Sequence, residues 1–370
     1  MRFKKYDTNW NRKKLSEYVK KITRKNSNNV IKNVICNSAQ NGLIPQLDFF
    51  DKKIANDENT AGYYIISNGD FVYNPRKSLS APYGPVNIYK YDSAGIVSPL
   101  YLCFSVDDRI NKNFLLQRFK SPCWYRYIYL NGDSGVRHDR VSIKDEVFLS
   151  QPINLPNAEE QAAIVDFLKK IDEQIFLQNK IISKYETLIK GISNDIFNQA
   201  DGQEYDLGKI ASIYQPQTIT KSDLVENGSY PVYGANGVIG YFNRFNHKES
   251  QIMITCRGST CGTVNVSVPY SWITGNSMVI NMDDYQEIVD KMYLYYYLRT
   301  LSWKDLISGS GQPQIVRSSL LILKATLPPL DRQIEIRKVM DVFIIKLEIE
   351  KRILSALQKQ KAFLLQAMFI

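Results

Sequence analysis

Two stretches of the chain, 172 residues apart, carry apolar residues in the alternating four-three step of a heptad seam. In the first, Leu155-Pro156 is followed by Ile164, Leu168, Ile171, Ile175, Gln178, Ile182, Tyr185, Ile189, Ile192 and Ile196. In the second, Leu327-Pro328 is followed by Ile336, Met340, Phe343, Leu347, Glu350, Leu354, Leu357, Lys361, Leu364 and Met368. The polar break recurs in register, Gln178 against Glu350, and Lys361 is the one further interruption. Proline can precede or open a helix but not continue one, so the helices are predicted to begin near residues 157–160 and 329–332. At 1.5 Å per residue each would be about 55 to 60 Å long, more than a compact domain needs to close its core. Two unrelated core helices would explain either stripe alone, but not the matched opening, phase and break. The repeat is therefore read as its own partner, which predicts an antiparallel coiled coil with Gln178 meeting Glu350 near the middle of the rod.

Outside these stretches the pattern changes to short strand-like runs broken by turns. Before the first rod, strands are predicted at residues 30–36, 63–66, 71–73, 86–91 and 100–106, with a helix at 111–119. A short basic helix is predicted at 14–21, because Leu15, Tyr18 and Val19 fall on one side. Between the rods, a hairpin is predicted around 230–237, strands at 251–255 and 263–268, a strand pair within 272–281 and a helix at 292–301. The organisation is one globule (1–154), a long helix (155–200), a second globule (201–326) and a second long helix (327–370). The fold class is α+β (mixed α/β), an internal repeat of globule and rod.

Charge separates the two globules. Residues 1–154 hold 24 Lys and Arg against 14 Asp and Glu, whereas residues 201–326 hold 10 against 11. Ten of the basic residues lie within the first 25, among them Lys4, Lys5, Lys13, Lys14, Lys20 and Lys21. Phosphate binding would give such a block a common task, although a solvated face has the same composition. Residue types that fit base edges gather in the turns: Arg76, Arg137, His138, Arg140, Arg244, Arg257, Ser259, Thr260, Gln312 and Gln314. Catalytic signatures are missing. No phosphate-binding Gly-rich loop, His-Glu-x-x-His or Gly-x-Ser-x-Gly occurs, and Asn74-Pro75-Arg76 lacks the second proline and aromatic ring of an adenine-methylating site. Five irregularly spaced cysteines are no disulfide framework, and Cys256, Cys261 and His247 fall short of a four-ligand metal site. The expectation is a cytoplasmic protein with no membrane span, no cofactor and no catalytic centre of its own.

Several strings make the chain resemble the DNA-specificity subunit of Type I restriction-modification enzymes. They are the run from Tyr230-Pro231-Val232-Tyr233-Gly234 to Gly240-Tyr241, Arg257-Gly258-Ser259-Thr260-Cys261-Gly262-Thr263, Trp272-Ile273-Thr274-Gly275-Asn276, and the Leu-Pro openings followed by Glu160-Gln161 and Arg332-Gln333. Residues 1–154 depart further from the familiar strings than residues 201–326. The resemblance implies that the globules are target-recognition domains, each reading half of a bipartite double-stranded DNA target. It implies that the helices are spacers that bind two modification (methyltransferase) subunits, and that separate restriction/translocase subunits cut unmodified DNA. Two other readings stand beside it: a protein-assembly adaptor, and the recognition piece of a fused methyltransferase-nuclease.

Overall fold

The computed structural model describes residues 3, 5–6, 9–49, 60–133, 139–309 and 311–369. The chain condenses into two units, one of residues 1–178 and 353–370 and the other of residues 179–352.

In the first unit the strands are β1 (Asn11–Lys14), β2 (Val19–Lys21), β3 (Ile35–Ser38), β4 (Gly42–Pro45), β5 (Tyr64–Ile66), β6 (Phe71–Tyr73), β7 (Val86–Ile88), β8 (Gly95–Val97), β9 (Leu102–Val106) and β10 (Pro152–Leu155). Its shorter helices are α1 (Gln46–Phe49), α2 (Lys112–Lys120), α3 (Tyr125–Asn131) and α4 (Asp145–Leu149). Four strands form an antiparallel sheet in the order β2-β9-β6-β7. Strand alternation sends Phe71, Tyr73 and Phe104 to one face, where they join Phe114, Phe119 and Phe148 in the main core. Val72 and Cys103 face the other way, into a smaller cluster with Ile35 and Leu43 of the β3-β4 hairpin. Asn111 starts α2 by accepting hydrogen bonds from the Asn113 and Phe114 amides. The basic helix expected at 14–21 is not formed. Leu15–Glu17 is a single 3-10 turn between β1 and β2, because Val19 and Lys21 extend to pair with Val106 and Phe104 while Leu15 is drawn into the core. The strand expected from residue 30 starts only at Ile35.

After the long helix α5 (Ala158–Asn198), the second unit holds β11 (Gln203–Asp206), α6 (Leu207–Ile210), β12 (Ser212–Tyr214), β13 (Tyr230–Gly234), β14 (Gly237–Phe242), β15 (Ile252–Thr255), β16 (Val264–Val266), β17 (Trp272–Ile273), β18 (Ser277–Asn281), α7 (Lys291–Thr300), α8 (Arg317–Leu321) and β19 (Lys324–Leu327). Its four-stranded antiparallel sheet has the order β12-β18-β15-β16. Ile252, Ile254 and Ile280 face the core with Tyr293 and Leu294 of α7. The strand pair expected within 272–281 is corrected: β17 runs parallel to β13, while β18 pairs with β12 and β15. The turn at Gly275 separates them, and its amide is held by the Thr218 hydroxyl at 3.2 Å.

The predicted rods are α5 (Ala158–Asn198) and α9 (Leu330–Met368), of 41 and 39 residues. They pack together antiparallel. Within the first unit Asp172 meets Lys361; within the second, Glu186 lies 3.2 Å from Lys351, and the Ser193 hydroxyl 3.8 Å from the Met340 sulfur. None of the twenty residues named along the two seams is exposed. The break at Lys361 is thus a charge pair in a seam otherwise apolar at that end, where Leu364 and Met368 are buried with Leu168 and Ile171.

Candidate nucleic-acid interface

Hydrogen bonds equate the two sheets residue by residue. Phe71 pairs with Phe104 and Ile88, as Ile252 pairs with Ile280 and Val266. The equivalence continues past the strand ends: the Asn74 amide donates to the Pro85 carbonyl at 3.0 Å, and the Thr255 amide to the Thr263 carbonyl at 2.9 Å. The turn that follows needs glycine in both, Gly84 at φ +83° and Gly262 at φ +90°, and a Cβ on Gly84 would sit 2.1 Å from the Asn74 carbonyl oxygen.

A returning segment then crosses each strand end. The Val141 amide donates to the Pro75 carbonyl at 2.9 Å, and Lys77 to Asp139 at 2.8 Å. Their counterparts are Ile315 to Cys256 and Gly258 to Pro313, both at 3.0 Å. Arg76 therefore bridges Arg140 as Arg257 bridges Gln314. These four residues, separate candidates in the sequence, come together in the structure as two equivalent pairs.

In the first unit this rim borders a cleft of about 450 Å³ lined by Arg76, Lys77 and Arg140 with Asn37, Gln40, Asn74 and Ser78, and none of its lining residues is acidic. The Asn74 carboxamide accepts from the Arg76 amide at 3.0 Å and so fixes the turn that projects this arginine. Burial pushes the Cys36 thiol and the Tyr101 hydroxyl up, so both stay neutral and the arginines and lysine set the sign of the cleft. Asn37, Gln40, Asn74, Ser98 and Tyr101 were not foreseen as lining residues. They come from three separate segments, and no spacing in the sequence joins them.

In the second unit, Thr260 donates to the Asn236 side chain at 2.6 Å, which holds the Arg257–Thr260 loop against the turn after β13. Ser259, Gln312 and Gln314 are exposed beside it. Arg244 follows β14, and no hydrogen bond among the described residues ties it to that rim. Lys4, Arg137 and His138 lie outside the described residues.

The basic block is not gathered into the cleft lining. β1 pairs with β10, the strand that feeds α5, so Lys13 and Lys14 lie opposite Ile153 and Pro152. Lys13 pairs with Glu17 at 3.8 Å and Lys21 with Asp145 at 2.7 Å, while Lys5 lies 4.9 Å over the Tyr6 ring. Lys14 and Lys20 are exposed and form no ion pair among the described residues. The histidine considered for a metal is otherwise engaged: His247 lies 2.9 Å from the Tyr214 hydroxyl and 2.6 Å from the Asn246 carboxamide oxygen, and burial pushes it down toward the neutral form. Among the described residues no helix is long and apolar enough to cross a membrane, and no group of three potential metal ligands occurs.

Comparisons with known proteins agree with this geometry. The family model of the Type I restriction modification DNA specificity domain matches residues 8–187 and 200–359. A Type I restriction enzyme EcoprrI specificity subunit of Escherichia coli is 25% identical over 150 residues, 40% of this chain and 37% of that protein. A putative type I restriction enzyme specificity subunit of Haemophilus influenzae is 27% identical over 125 residues, 33% of this chain and 31% of that protein. The matched stretches thus span about a third of these curated relatives. The fold extends further. A chain from a structure described as showing complex assembly and conformational transition of the type I R-M system has TM-score 0.65 at 16% identity, with 96% of both chains covered. A Type-I restriction-modification S subunit from M. genitalium has TM-score 0.58 at 18% identity, covering 98% of this chain and 97% of that one.

Proposed function

Since the chain belongs to the family of Type I restriction-modification DNA specificity domains, we propose that it reads a bipartite double-stranded DNA target, one word per globule. On that target it positions two adenine-methyltransferase modification subunits, to which restriction/translocase subunits are added. The observation that carries this reading is one backbone frame used twice with different side chains: Arg76 with Arg140 in one globule, Arg257 with Gln314 in the other. Reading two words needs this combination, a constant scaffold and a variable rim.

The long helices support the docking of proteins. In the second unit Val342, Ile345 and Ile349 of α9 are exposed on the side away from the Met340 and Leu347 seam. In the first unit Phe176 and Leu177 of α5 are likewise exposed. Apolar side chains in such a row are a surface that a partner covers. The chain itself contributes recognition and placement, and the partner contributes methyl transfer.

The test is a methylation assay on DNA of mixed sequence with a methyl donor, followed by mapping of methyladenine. The expected result is no transfer by the chain alone, and with the modification partner, methylation confined to two words at a fixed separation. Transfer by the chain alone, or methylation independent of sequence, would reject the reading.

A further inference from the structure

We propose that Arg76 and Arg257 are equivalent base-reading residues, each taking a guanine in its own half of the target. The inference rests on the DNA-reading function proposed above and names what the two rims recognise. The register leaves no freedom in the match: the same three hydrogen-bond pairs flank both arginines, and each bridges one residue of a returning segment. The paired strands share Gly84, Val86 and Asn87 with Gly262, Val264 and Asn265, but between residues 71–77 and 252–258 the arginine is the one identity, so its sharing at an exposed position is not a by-product of a shared core.

Both arginines are available for a nucleic-acid contact, and two further features favour bases over phosphates. Neither guanidinium has an acidic partner among the described residues, unlike Lys13, Lys21 and Arg109, which are paired to Glu17, Asp145 and Asp107. Neutral groups with both donors and acceptors stand beside each arginine, Asn74 and Ser78 next to Arg76 (with Lys77 and Arg140) and Thr260 and Gln314 next to Arg257. Each backbone is pinned: the Arg76 amide by Asn74, the Arg257 loop through Gly258 and Thr260. A planar fork on a fixed mount suits the adjacent O6 and N7 acceptors of guanine in the major groove. The bridged neighbours then distinguish the words. Arg140, whose Nε lies 3.9 Å from Asp139, keeps its two terminal nitrogens for a second guanine, whereas Gln314 suits the N6 and N7 edge of adenine.

The experiment selects targets from a random duplex library with the full chain bound to its modification partner, comparing wild type with Arg76→Gln and Arg257→Gln. Wild type is expected to yield two words, each with an invariant guanine. Arg76→Gln should lower that preference about tenfold or more in the first word alone, and Arg257→Gln in the second alone. Arg76→Lys and Arg257→Lys keep the charge and guard against loss of folding; they should retain non-specific binding and, without the planar two-donor fork, show a weakened guanine preference. Wild-type words with no guanine, or words unchanged in both variants, overturn this inference and leave the bipartite reading standing. Uniform weakening across all sequences, with a smaller salt dependence, assigns the arginines to phosphates and also overturns it. No enriched word with wild type overturns the bipartite reading and this inference with it.

Discussion

Gln333→Leu probes how each globule is fastened to its long helix. The Gln333 side chain is fully buried; its amide donates to the Pro328 and Ile288 carbonyls at 2.9 and 3.0 Å, and its oxygen accepts from the Asp290 amide at 2.9 Å. Asp290 is the residue that caps α7. One side chain thereby ties the first turn of α9 to the start of the helix beneath the β12-β18-β15-β16 sheet. Leucine has nearly the same volume, so no large cavity opens, but three backbone groups lose their partner. A buried group left unpaired costs about 1–3 kcal/mol, and with two of the three contacts only partly buried the total is about 3–5 kcal/mol. Gln161, 172 residues earlier, makes the same tie with two bonds, accepting from the Asn111 amide at 2.8 Å and donating to Pro156 at 3.0 Å. Gln161→Leu is therefore expected to cost about 2–4 kcal/mol. Urea unfolding of the full chain, with exposed Gln358→Leu on α9 as control, measures both. The reasoning predicts a larger loss for Gln333→Leu than for Gln161→Leu and almost none for the control. Losses below about 1 kcal/mol at both sites, or equal to the control, would refute it.

Three further outcomes are expected. Replacing Lys361 and Asp172 together by leucine should hold or raise the thermal midpoint, whereas Asp172→Ala alone should lower it by leaving the mostly buried ammonium unpaired; calorimetry of the three proteins checks the order. His247 has a folded pKa below its unfolded value because of burial, so its contribution is complete above pH about 6.5 and is lost as pH falls toward the folded pKa; urea midpoints measured from pH 7.5 to 5 should fall in wild type and fall less in His247→Gln. Replacing exposed Lys14 and Lys20 by alanine should reduce the log-log salt slope of non-specific DNA binding by about 0.9 per phosphate contact; an unchanged slope in filter binding would assign them to solvent or a protein partner.

The rods were legible because a seam repeated over ten positions leaves few alternatives, and a second copy with the same polar break names its partner. Even the break at Lys361 could be placed, although Asp172 as its partner could not, since that residue lies off the seam. The globules were legible as α+β but not as the same sheet twice. The strands of the two four-stranded sheets are three to five residues long, and connecting loops of different length change the offset from 172 in the helices to 181 between Arg76 and Arg257 and 174 between Arg140 and Gln314. Helix prediction at 14–21 failed because side-chain periodicity over eight residues cannot compete with pairing to β9, a partner more than eighty residues away. The count of basic residues near the start was visible, but not that strand pairing places Lys13 and Lys14 beside the strand entering α5.

The central claim is that one chain carries two independent word-readers. The most direct measurement is selection from a random duplex library by the wild-type chain bound to its modification partner, sequenced without any assumed motif. The account predicts two short words of different sequence, enriched together and only at one separation. A single word, two words at unrestricted separation, or enrichment no greater than with the modification partner alone would contradict it.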